Sequence, residues 1–102
     1  MILRQIAHVR TGDKGDTSQI SVIAYDIKDY PLLARAVTVE RVAAHFADLP
    51  LEGIDRCEAP SVGALILVLR GALRGGVTRS LALDAHGKSL GAQLLDLELA
   101  ED

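Results

Sequence analysis

Apolar residues recur from one end of the chain to the other, and no polar tract is long enough to act as a linker, so the pattern predicts one domain over residues 1–102. Ile2 to Arg10 predicts a first strand, with apolar positions that do not alternate cleanly and so suit burial on both faces. The next stretch, Arg10 to Ser18, reads RTGDKGDTS and offers no apolar face, which predicts a loop. Ile20 to Tyr25 is rich in β-branched residues and predicts a strand. Helical signals follow between Pro31 and Asp48. Pro31 suits a first helical turn, where its missing N–H costs nothing. Thr38 is a good N-cap, and Val39, Val42, Ala43 and Phe46 fall on one helical face that Pro50 ends. The β-branched run Val37-Thr38-Val39 favours a break between two helices over one bent helix.

Ile54 to Ala59 predicts a short strand ended by Pro60. The run from Ser61 to Leu73 suits a buried strand or a buried helix, and periodicity alone does not separate them. The helix is favoured, because Ser61 can cap it, Leu65, Leu69, Ala72 and Leu73 share a face, and Gly75-Gly76 supplies a stop. Val77 to Leu83 alternates as a strand, Asp84 to Lys88 forms a turn, and Ser89 to Leu99 returns to the core as a strand whose leucines alternate with Asp96 and Glu98. The expected order is β-β-α-(α)-β-α-β-β. It defines an α+β domain with helices on one face of a mainly antiparallel sheet.

Composition narrows the function classes. The net charge is −3, from 11 basic and 14 acidic side chains, which argues against a nucleic-acid partner. Tyr25, Tyr30 and Phe46 are the aromatic residues, so a base-stacking surface is poorly supplied and the core is expected to be aliphatic. The longest apolar run, Ala64 to Leu69, is far short of the ~18 residues a membrane span needs, and the N-terminus lacks a signal-peptide pattern. A single cysteine, Cys57, excludes an internal disulfide and fits a reducing compartment; the expected location is the cytoplasm.

Four blocks together resemble a known family. They are the segment Arg10 to Asp16, the segment Ile20 to Ala24, the run Leu69 to Ser80 and the turn Asp84 to Lys88. Their order and spacing are similar to those of the C-terminal domain of AtuA-type proteins, and the likeness covers nearly the whole chain. The resemblance implies a ferredoxin-like sandwich and a link to bacterial breakdown of acyclic terpenes and branched acids. In larger relatives this domain follows a big N-terminal domain. A stand-alone copy is therefore expected to serve as a small subunit or interaction module, with a separately encoded large AtuA-type protein as partner. A closed homo-oligomer, dimer first, is the expectation from base rates.

Several residues invite a chemical reading. Gly12, Lys14 and Gly15 suit a concave anion site built from backbone N–H groups and one ammonium. The same residues suit a tight hairpin in which Asp13 and Asp16 make turn bonds. Arg70, Gly75, Gly76, Arg79 and Ser80 suit forked recognition of a carboxylate or a CoA-linked phosphate. Solvated arginines, or arginines paired with Asp96 and Glu98, fit the same pattern. Were the two segments to share a pocket, Asp13 or His86 would move a proton. A small-molecule-binding regulatory role is a further alternative, resting on fold analogy alone.

No metal site is expected, because His8, His45 and His86 lack ligand spacing. His8 reads as a partly buried structural residue, His45 as solvated and His86 as a turn residue. Cys57, with no close catalytic partner legible, reads as a small core residue. No nucleophile–base pair and no cofactor motif is legible, and an accessory role is favoured over catalysis.

Overall fold

In the computed structural model the described residues are 1–72 and 89–99. A hairpin, β1 (Ala7–Lys14) and β2 (Thr17–Ala24), leads into two short helices, α1 (Tyr30–Ala36) and α2 (Val39–His45). A second hairpin follows, β3 (Gly53–Ala59) and β4 (Ala64–Arg70), and after it comes α3 (Ser89–Leu94). Among the described residues the strands form one four-stranded antiparallel sheet in the order β1-β2-β4-β3. The two central strands come from different hairpins, each followed by helix. That arrangement is the cyclic order of a βαββαβ ferredoxin-like sandwich entered at its second strand.

Among the described residues the helices cover one face only, and the other face is uncovered in that sense. On β2, Ser18, Ile20 and Val22 are fully buried, and their register partners on β4, Leu69, Leu67 and Leu65, are fully buried too. Leu33 from α1, Val42 from α2 and Leu90 and Leu94 from α3 close over that side. The core is aliphatic, as composition predicts, with Phe46 and Tyr30 at its margin. Leu97 and Leu99 are buried between exposed Asp96 and Glu98, so the expected alternation holds there.

Two helices, not one, span Pro31 to Asp48. Pro31 sits in the first turn of α1, and Thr38 caps α2 by accepting from the Arg41 N–H at 3.2 Å. Only part of the expected apolar face is covered. Val42 and Phe46 are buried, whereas Ala43 is exposed, because the short α2 meets the sheet edge rather than its centre.

Other expectations are corrected. Ile2 to Arg10 is not one strand: Leu3–Gln5 is a 3-10 turn, and β1 starts at Ala7. The expected loop from Arg10 to Ser18 is mostly strand, since Lys14 pairs with Thr17 and leaves only Gly15 and Asp16 to turn the chain. A strand paired along its length needs no apolar face on its solvent side, and Gly15 takes the left-handed φ of +63° that the turn demands. Ser61 to Leu73 is not a helix. Pro60–Val62 makes a 3-10 turn and the apolar run is β4, a central strand whose leucines alternate inward. The i, i+4 spacing of Leu65 and Leu69 fits a period of two equally well, and only the two flanking strands select it. Nor is Ser89 to Leu99 a single strand: it opens as α3, and Glu98 then bridges to Ile2. The expected strand from Val77 to Leu83 and turn from Asp84 to Lys88 lie outside the described residues.

Candidate functional site

Strand parity sorts the candidate residues between the two sides of the sheet. Register places Ala7, Val9, Thr11 and Asp13 of β1 on the helix-covered side, and His8, Arg10, Gly12 and Lys14 on the uncovered side. Arg70 on β4, and Gly53, Asp55 and Cys57 on β3, also belong to the uncovered side.

Gly12, Asp13 and Lys14 pair with Gln19, Ser18 and Thr17, so the glycine segment is the tip of a hairpin. Extending the ladder one row past Ser18–Leu69 brings Thr17 beside Arg70. Lys14 and Arg70 therefore lie at the same end of the same face, two strand spacings or about 10 Å apart. Asp13 points to the opposite side from Lys14. Thr17 Oγ1 donates to Asp16 Oδ1 at 3.5 Å. Gly75, Gly76, Arg79, Ser80 and His86 fall outside the described residues.

The Arg70 guanidinium makes an ion pair with Asp55. It lies across Gly53, its direct register partner, where any Cβ would collide with it. An anion brought to Arg70 competes with the Asp55 carboxylate. Of the alternatives for Arg70, pairing with the acidic tail is not found: Arg70 holds Asp55, Asp96 pairs with Arg4, and the Glu98 carboxylate sits 3.9 Å from the N-terminal ammonium.

The remaining candidates divide similarly. His8 is half-buried and stacks on Tyr25, with ring centroids 5.1 Å apart and planes inclined by 12°. His45 is exposed, as expected, and its Nε2 meets the Gln93 carbonyl at 2.7 Å, tying α2 to α3. Cys57 is exposed, not in the core, because its strand parity turns it to the side no helix covers. Among the described residues no group of three His, Cys, Asp or Glu side chains could hold a metal ion. No helix among them is long and apolar enough to cross a membrane.

Residues that the sequence did not single out define the most distinctive surface. Tyr25 is 67%, Ile27 58% and Val62 65% exposed, and all three lie at the end of the sheet opposite Lys14 and Arg70. The Ala24 N–H donates to the Gly63 carbonyl at 2.9 Å, which holds the turn after β2 against the β3–β4 turn. Ile27 packs over Gly63, the chain neighbour of Val62, and Tyr25 lies two residues before Ile27, so the three residues lie at the same end of the sheet. Next to it the uncovered face is concave, in a groove of about 380 Å³ that includes His8, Arg10, Ser21, Ile23, Val62 and Ile66.

An antiparallel sheet of this order with helices on one face defines the class as α+β, ferredoxin-like. The chain belongs to the AtuA ferredoxin-like domain family, whose model matches residues 1–100. Neither a curated protein nor a solved structure matches it.

Proposed function

We propose that the chain is an accessory subunit or interaction module that docks on a larger AtuA-type protein. The observation that carries this reading is the apolar corner of Tyr25, Ile27 and Val62, three large side chains left in water beside an uncovered sheet face. Isolated exposed apolar residues are ordinary, but several gathered at one end of a sheet beside a concave apolar surface suit an interaction site. Family membership supports the choice of partner, and through it a role in the catabolism of acyclic terpenes and branched acyl-CoA compounds in the cytoplasm. The pathway follows by association with the family, not from a site.

The test is co-expression with the large AtuA-type protein, with mass read by light scattering. The expected result is a mixed complex that Ile27→Glu and Tyr25→Glu dissociate while the isolated variants stay folded. A chain that forms only an oligomer of itself in the presence of the large protein overturns the reading. A mixed complex indifferent to both substitutions overturns the docking surface.

A further inference from the structure

We infer that the groove on the uncovered face binds a small apolar monocarboxylate, with Arg10 and Ser21 holding the carboxylate and Ile23, Ala64 and Ile66 receiving the hydrocarbon body. The chain alone carries every residue named, so the inference does not rest on a partner.

Sheet register builds the groove in two rows. His8, Ile23, Ala64 and Ala59 cross the four strands in one row, and Arg10, Ser21, Ile66 and Cys57 cross in the next. Arg10 and Ser21 are direct cross-strand partners, which sets a forked guanidinium and a hydroxyl side by side at about 5 Å. Ile66 and Ile23 continue the floor on the side away from Arg10, and Val62 forms a wall. A polar head beside β1 and an apolar floor toward β4 match an amphipathic molecule lying across the strands.

The charge pattern selects the sign of the head group. Arg4, Arg41, Arg56 and Arg70 each have an oxygen partner, whereas among the described residues the exposed side chain of Arg10, like that of Arg35 on the other side of the sheet, makes no hydrogen bond or ion pair. Asp55, an acid on this face, is already held by Arg70. Counting the described residues, the face is thus locally cationic on a chain of net charge −3. A planar guanidinium with free donors on an apolar surface favours a carboxylate, which accepts two parallel N–H bonds. The volume of about 380 Å³ lies at the small end for ligand pockets and suits a body of about six carbons.

The experiment is a two-dimensional ¹H–¹⁵N NMR titration of the isolated chain with sodium hexanoate, with hexylamine and hexanol as comparison probes. Hexanoate is expected to give saturable shifts confined to the two rows, with a dissociation constant in the millimolar range that suits so small a ligand. Arg10→Gln is expected to weaken hexanoate by about tenfold or more. Arg35→Gln, which removes an exposed arginine from α1 on the other side of the sheet, leaves it unchanged. Both changes are at exposed positions, and unperturbed spectra elsewhere report the fold. The inference is overturned if hexylamine shifts the same residues as strongly, if Arg10→Gln binds as the parent does, or if the rows respond to protein concentration and not to hexanoate. Complex formation with the large protein is read separately by mass, so either idea can fail alone.

Discussion

The Arg56 guanidinium on β3 donates to the main-chain carbonyl of Val37 at 2.8 Å, at the point where α1 ends. A second donor reaches the Ala34 carbonyl at 2.5 Å, and a third meets Glu58 at 2.8 Å. The last carbonyls of a helix have no partner within it, and a cation there complements the helix dipole. One side chain from a sheet edge thus closes α1 and fixes where the chain turns toward Thr38. Arg56→Met is expected to lower stability by about 2 kcal/mol, since it orphans two carbonyls in a partly buried setting. Urea denaturation followed by circular dichroism checks this, and Arg56→Lys, with one compact ammonium in place of a fork, should recover less than half.

Gly71 ends β4 with φ at +85°. A Cβ built on it would lie 2.8 Å from the Pro50 carbonyl oxygen, part of the segment that brings the chain into β3. Gly71→Ala therefore meets both a strained backbone and a clash with main chain. The expected loss is about 2 kcal/mol, seen as a lower urea midpoint with an unchanged slope.

Ser18 is fully buried on the helix-covered side, and its Oγ has no hydrogen-bond partner among the described residues. Burying a hydroxyl without compensation is unfavourable. Ser18→Ala is expected to leave stability unchanged or raise it by about 1 kcal/mol, measured by the same denaturation. A loss above about 1 kcal/mol would reveal a partner for that hydroxyl.

Cys57 faces the uncovered side and is exposed. The native protein is expected to react with one equivalent of a thiol reagent without denaturant. If modification required unfolding, a second body would have to cover that side of β3.

Much of the fold is legible in local chemistry. Pro31 and Thr38 mark helix starts by their own backbone and capping preferences, and both do so in the structure. Ile20 to Tyr25 and Ile54 to Ala59 carry enough β-branched or alternating character to predict strands, and both are strand but for Tyr25, which lies just past the end of β2. Local rules fail where the deciding contact is remote. The sequence of β4 admits helix, and it becomes strand because β2 and β3 flank it and satisfy its backbone on both sides. Arg10 to Ser18 has no apolar face, and its two strands are held by one another's ladder.

The candidate residues followed the same division. Glycines and charged residues stand out in a one-dimensional sequence, as Gly12 to Asp16 at the hairpin tip and Arg70 at the end of β4 do. Tyr25, Ile27, Val62, Arg10 and Ser21 belong to four separate segments and share no motif. The composition, the aliphatic core and the α+β class were determined by residue types alone, because propensity and burial act position by position. Which residues face water together was decided only by register, since moving a strand by one position exchanges its two faces.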